Sequence, residues 1–230
     1  TFPKGTAEDA KHAVEVAAGT SFACARLEDG TVLCWGDDSV GQTGSVIPTH
    51  ASGSSAPQPT PARVEGVSGA VALAAGQYHA CAVLEDATVR CWGYDWFGAL
   101  GRGAGYTGLP DSVARDVEGL TDAHALAIDA SSSCALRGDG SVWCWGASAE
   151  LYPGYDAATA DECTVVVSQV CWRAPRPLAG ITGALELRFG GRTGCVATVG
   201  SWQCWGRDDE GQVTGDGSAR QSGQGVTACW

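Results

Sequence analysis

Eleven cysteines in 230 residues are the side chains best placed to do chemistry in this sequence. Thiols ligate metal, attack electrophiles or pair as disulfides, and their spacing decides among these. No C-x-x-C occurs, so a zinc site has no anchor. His12, His50, His79 and His124 share no spacing suited to a metal or a triad, and no serine occupies a G-x-S-x-G elbow. Pairing is the reading left. CARLEDGTVLCWG (24–36) sets two cysteines ten apart around a Glu-Asp-Gly turn. With Gly30 supplying positive φ in a three-residue hairpin loop, Leu27 faces Thr31 and Cys24 faces Cys34. Directly opposed Cα atoms lie about 4.5–5.5 Å apart, inside the disulfide window.

The strands that must hold these thiols recur with them. CAVLEDATVRCWG (81–93), CALRGDGSVWCWG (134–146) and CVATVGSWQCWG (195–206) repeat the pattern, so Cys81–Cys91, Cys134–Cys144 and Cys195–Cys204 are expected pairs as well. The fourth copy shortens its turn by one residue and still aligns its cysteines. VAAGTSFAC (16–24) is echoed by LAAGQYHAC (73–81) and LRFGGRTGC (187–195), while the third unit carries Asp129 where the others have Gly. First cysteines fall at 24, 81, 134 and 195, spacings of 57, 53 and 61 residues. A unit of that length holds four short strands, the size of one propeller blade.

These units, V-x-x-G, a cysteine hairpin and then W-G-x-[ND]-x-x-G-Q-x-G as in GDDSVGQTG (36–44), resemble the regulator-of-chromosome-condensation repeat. Four copies run from about Val14 to Gly217. The resemblance implies an all-β fold, a β-propeller of four recognisable repeats with intra-blade disulfides, over a single domain 1–230 with units near 14–67, 68–120, 121–181 and 182–230. Members are usually seven-bladed, so four units imply either a four-bladed ring or a partial arc of a larger propeller. The paired-cysteine CWG variant is similar to secreted bacterial members. The family spans a nucleotide-exchange factor, a plant light sensor and a secreted enzyme inhibitor, so it implies a fold more sharply than a task.

Composition narrows the task. A cysteine-rich chain without metal spacing suits an oxidising compartment, hence an extracellular, periplasmic or cell-surface location. The chain starts Thr-Phe-Pro-Lys and contains no Met, which fits a processed chain or a fragment. No apolar run reaches the roughly 18 residues of a membrane span. A net charge of −12 opposes binding to nucleic-acid phosphates.

Trp35, Trp92, Trp145 and Trp205 of the CWG motifs alternate to the face opposite their cysteines and are expected to pack between blades. Asp37, Asp38, Asp95, Asp208, Asp209 and Glu210 follow them and are expected to cap the turn on backbone N–H groups rather than hold calcium. His79 stands where the family usually carries histidine and is expected to hydrogen-bond structurally. Departures from the repeat are the candidate specificity elements. GYDWFGALGRGAGYTG (93–108) places Tyr94, Trp96, Phe97 and Tyr106 on a Gly-rich loop whose counterparts are Ser39-Val40 and Asp209-Glu210. With Trp172 they are candidate partner-binding residues. SVIPTHASGSSAPQPTP (45–61) reads as a polar surface loop. GYDAATADECTVVVSQVCWRAP (154–175) inserts Cys163 and Cys171, which bond if the segment loops and stand too far apart if it runs extended. With Cys229 they allow three single pairings, each leaving one thiol over.

The function expected is a non-enzymatic binding scaffold without cofactor or metal, recognising a protein or other extracellular macromolecule through its loops. The alternatives are a structural subunit of an extracellular assembly and, last, an enzyme acting on extracellular polymer.

Overall fold

The computed structural model describes residues 12–45, 57–147, 152–164, 168–208, 213 and 227–229. Four antiparallel sheets follow one another along the chain. The first holds β1 (Ala13–Ala18), β2 (Phe22–Leu27), β3 (Val32–Gly36) and β4 (Gln58–Arg63), and the second β5 (Ala70–Ala75), β6 (His79–Leu84), β7 (Val89–Tyr94) and β8 (Pro110–Asp116). The third comprises β9 (Ala123–Ile128), β10 (Ser132–Arg137), β11 (Val142–Ala147), β12 (Asp161–Thr164) and β13 (Ser168–Pro177). The fourth comprises β14 (Glu186–Gly190), β15 (Thr193–Thr198), β16 (Ser201–Gly206) and β17 (Thr227–Cys229). Neighbours in sequence are neighbours in each sheet, except that β13 pairs with β11 and the added β12 forms the outer edge. This is an all-β, propeller-type fold.

The hairpin register is the one the cysteines demand. Cys24 faces Cys34, Cys81 faces Cys91, Cys134 faces Cys144 and Cys195 faces Cys204. All four pairs are disulfide-bonded with Cα atoms 4.1 Å apart. The glycine after each CWG tryptophan is fixed by sterics. Gly36, Gly93, Gly146 and Gly206 have φ between +100° and +116°, and a Cβ on any of them would lie 2.2–2.5 Å from the carbonyl of the residue that leads into the hairpin's first strand. In the first three sheets the ladder to the outer strand also slips register at the tryptophan. The polar stretch before Pro61 is not all loop, since β4 begins at Gln58. Pro59 and Pro61 lack an N–H and are tolerated on that outermost strand. Residues 46–56 of the stretch lie outside the described residues.

Successive sheets stack through apolar faces, β1 and β2 on β5, β5 and β6 on β9, β9 and β10 on β14. Among the described residues no contact of that extent returns from the fourth sheet to the first. Each junction is also stitched by backbone: Ala70, Ala123 and Ala184 donate N–H to the turn carbonyls of Gly30, Ala87 and Gly140 in the sheet before. Among the described residues the four blades therefore follow one another as an arc.

Candidate functional site

Two junctions show how the repeat places its side chains. The indole N–H of Trp92 donates to the Gln42 carbonyl at 3.1 Å, and that of Trp145 donates to the Ala99 carbonyl at 2.9 Å. Each acceptor sits on the loop after the preceding blade's own CWG motif. Those loops are held by a buried carboxylate: Asp38 accepts the Thr43 N–H, Asp95 the Leu100 N–H and Asp208 the Val213 N–H. Trp92, Trp145 and Trp205 are fully enclosed, and Trp35, with no blade before it, is half-buried. The Trp205 Nε1 is buried without a hydrogen-bond partner. In the loop before it, Tyr152 stands where Gln42 and Ala99 stand in the earlier loops.

His79 and Ser133 approach a nucleophile–base arrangement, with Nε2 and Oγ 2.8 Å apart. Both are buried, and Ser133 donates its proton to the Ala99 carbonyl at 3.2 Å, so the hydroxyl is enclosed and committed. Burial holds the His79 imidazole well below its ordinary value, at about 4, against an opposing pull from the Asp129 charge. The neutral ring clamps the second blade to the third. Asp129, the departure from Gly, has a use of its own: its carboxylate accepts the Arg192 N–H of the fourth blade at 2.7 Å.

The candidate binding site lies on the rim of the second and third blades. Tyr94, Trp96 and Phe97 stack in series, with ring centroids 5.5 and 5.1 Å apart. All three are half-buried. The 3-10 turn Trp96–Gly98 that carries two of them packs on β11, β12 and β13 of the next blade. Gly98 makes that seat possible, since a Cβ there would stand 2.9 Å from the Arg173 Cα. Phe97 takes φ +55°, in the left-handed region that its counterpart Val40 does not enter. Tyr106 lies beneath the Arg173 guanidinium, 4.6 Å from centroid to Cζ, and burial raises its phenol above the ordinary range. Beside the turn a cleft of about 470 Å³ is lined by Asp95, Arg102, Thr107, Leu109, Asp111 and Arg115, among others. Burial pushes the Asp95 carboxyl up to about 6, although the Leu100 N–H and the Arg102 charge favour its ionised form. Arg102 is spent on structure, donating to the Cys91 and Arg115 carbonyls and pairing with Asp111 at 3.5 Å. Arg115 and Leu109 stay largely exposed at the mouth.

The inserted segment loops rather than extends. β12 and β13 form a hairpin with Cys163 opposite Gln169, and Cys163 and Cys171 are disulfide-bonded. Ten of the eleven cysteines are thereby paired within blades, and the side chain of Cys229, on β17, lies outside those described. Trp172 corrects an expectation. It is 2% exposed, enclosed with Tyr152 and below Arg176, so it cannot meet a partner. Its place opposite Gly146 on β11 leaves room for the ring inside the blade. The residues missed from sequence are Arg173, Asp161, Leu109 and Arg115. Arg173 and Arg176 stand in the unrepeated WRAPRP, where Asp161 receives the Arg173 N–H at 3.0 Å and faces Arg176 at 3.5 Å. Among the described residues no group of three or more His, Cys, Asp or Glu side chains converges as metal ligands would. None of their helices is long and apolar enough to cross a membrane.

The regulator of chromosome condensation (RCC1) repeat family matches residues 13–42, 70–98 and 29–83. Over 211 residues the chain is 29% identical to the E3 ubiquitin-protein ligase HERC2 of Mus musculus, a match covering 88% of this chain and 4% of that protein. It is 29% identical over 157 residues to Protein pim1 of Schizosaccharomyces pombe, covering 62% of this chain and 28% of pim1. Among solved structures, Prp20p of Saccharomyces cerevisiae superposes with a TM-score of 0.76 at 19% identity, over 95% of this chain and 50% of Prp20p. The chain thus spans half or less of the length of each.

Proposed function

From the premise that the chain carries RCC1 repeats in a β-propeller fold, we propose that it is a non-enzymatic scaffold that binds a protein partner through the rim of its second and third blades. The observation that carries this reading is the stacked Tyr94–Trp96–Phe97 series, seated on an insertion with its own disulfide and flanked by the Asp95–Arg115 cleft. No other unit has aromatics at the places of Trp96 and Phe97. A half-buried aromatic series beside a charged cleft suits an interface centre with a polar rim. Phe97 in the left-handed region is a strained position of the sort found at binding loops. Prp20p, which shares the fold, binds Gsp1p and histones, and protein recognition by such a propeller is therefore a natural expectation. The net charge of −12 favours a protein over a polyanion as the partner.

The working compartment in this reading is oxidising and lies outside the cytoplasm, because ten cysteines are matched at bonding register. Alkylation of unreduced protein taken from its source cells should leave the ten paired cysteines unmodified. Modification of the hairpin cysteines without a reductant would place the protein in a reducing compartment. The rim is tested with Leu109→Asp and Arg115→Glu, at exposed side chains that contribute little to the fold. Cross-linking of the wild type to proteins of its own compartment should give a specific adduct through residues 94–115. Each variant should lower its yield about tenfold with Tm unchanged, and an adduct indifferent to both would remove the rim from the mechanism.

A further inference from the structure

The cleft beside the Trp96–Gly98 turn is lined by two carboxylates and two guanidiniums, and their pairing is uneven. Asp111 takes both cations: its Oδ2 stands 2.8 Å from the Arg115 Nε and 3.5 Å from the Arg102 Nη2. Its Oδ1 accepts the Val113 N–H at 3.1 Å. Asp95, by contrast, forms no ion pair among the described residues; its recorded partner is a backbone N–H, that of Leu100, 3.0 Å from its Oδ1. Arg102 favours the ionised Asp95 by its charge but is committed elsewhere, to the Cys91 and Arg115 carbonyls.

That carboxylate is poorly solvated. Asp95 is 2% exposed, yet it lines the cleft together with Leu100, Leu109 and Pro110. Burial opposes its charge most, and the Asp111 charge adds to the effect. The Leu100 and Thr107 N–H groups and Arg102 oppose them without restoring the ordinary value. Close by, the Tyr106 hydroxyl is buried without a hydrogen-bond partner, and the Asp95 charge raises its phenol further. A cation entering along the Leu109–Pro110 wall would give this carboxylate the counter-charge that neither water nor its neighbours supply.

Taking the rim as the partner's seat, we infer that the cleft receives a lysine side chain of that protein, its ammonium on the second Asp95 oxygen and its methylene stem along Leu100, Leu109 and Pro110. Lysine suits the site better than arginine. A guanidinium grips a carboxylate through both oxygens, and here one already holds Leu100, whereas an ammonium binds as a point charge. The apolar wall suits the stem, since long cationic side chains bury their methylenes and keep the charge at the tip. A volume of about 470 Å³ lies within the roughly 300–1,000 Å³ of ligand clefts. The net charge of −12 steers a cationic partner towards the chain.

The test is amide NMR of the whole chain with the peptide acetyl-Ala-Ala-Lys-Ala-Ala-amide, titrated to about 20 mM. At pH 7.5 the Leu100 and Thr107 signals should shift saturably, and the same peptide carrying Nε-acetyl-lysine should move neither. Asp95→Asn keeps an oxygen for the Leu100 N–H and removes the charge, so it should weaken binding at least tenfold. With the wild-type carboxyl titrating at about 6, affinity should fall about tenfold from pH 7.5 to pH 5, while that of the variant stays level. If the asparagine unsettles the loop, seen as lost exchange protection at Leu100, the wild-type pH series and the acetyl-lysine peptide decide alone. No shift at 20 mM, equal shifts with both peptides, or binding indifferent to pH overturns the inference. None of these readings needs the partner. An adduct sensitive to Leu109→Asp and Arg115→Glu without a lysine shift keeps the rim and overturns the lysine pocket. A lysine shift with an adduct indifferent to both variants keeps the pocket and removes the rim.

Discussion

At the scale of residues, the sequence exposes whatever the repeat conserves within itself and hides what a single copy does. The hairpin cysteines, the CWG tryptophans and the capping aspartates were legible because each recurs at one register, and local pairing geometry then dictates what it can touch. Trp172 was not, because its burial follows from lying opposite a glycine on another strand. Arg173 and Leu109 were invisible for a similar reason: their positions come from an insertion and from the path of one loop. His79 has a measurable consequence. Its imidazole titrates near 4 in the fold and near 6.5 when unfolded, so the unfolded chain binds more protons between those values. Stability contributed by the neutral ring should fall as pH drops from about 6.5 to 4, by about 3 kcal/mol in full. Asp95 acts oppositely in the overlapping window, since its raised value makes its ionisation cost stability as pH rises from about 4 to 6. The comparison to make is therefore wild type against His79→Gln by urea titration at several pH values. Wild type should lose ground to the variant on acidification, and parallel curves would refute the clamp.

At the scale of elements, the hairpin was the part of the fold that sequence described best, since its turn, its length and its cysteines all point to one register. The insertion 154–175 was ambiguous, because a strand and a loop are equally available to TVVVSQV until β13 pairs with β11. The two kinds of disulfide should therefore differ in effect. Replacing Cys81 and Cys91 with serine removes a cross-link between inner strands of a central blade and should cost about 2–3 kcal/mol of global stability. Replacing Cys163 and Cys171 should cost less, because that hairpin lies at an edge, but it should loosen the seat of the Trp96–Gly98 turn. Hydrogen exchange at 95–101, read through the Leu100 amide bonded to Asp95, should then speed up at least tenfold while β6 and β7 keep their protection. Unchanged exchange there would mean the turn holds itself.

At the scale of the molecule, the blade count was readable and the closure was not. Closure depends on what the outer faces of the first and fourth blades meet, and among the described residues Val16 and Trp202 stand exposed there. Among the described residues nearest-neighbour packing makes the arc nearly one-dimensional, with the central blades packed on both sides and the outer blades on one. In isolated chains, protection from hydrogen exchange should be highest in β6, β7, β10 and β11 and lowest in β1 and β16, by at least tenfold. Uniform protection would indicate all-or-none unfolding of the four blades.

The disulfides carry a last consequence, for how the protein matures. Every bond joins residues 8 to 10 apart inside one hairpin, and none crosses from blade to blade. A chain entering an oxidising space meets its correct thiol partners in order, each within moments of the turn that separates them, before distant cysteines arrive to compete. Oxidation is then vectorial, and reshuffling by an isomerase should add little to the yield. The same locality means that a protease cut between two blades would leave fragments tied by no covalent bond, each still folded around its own staple.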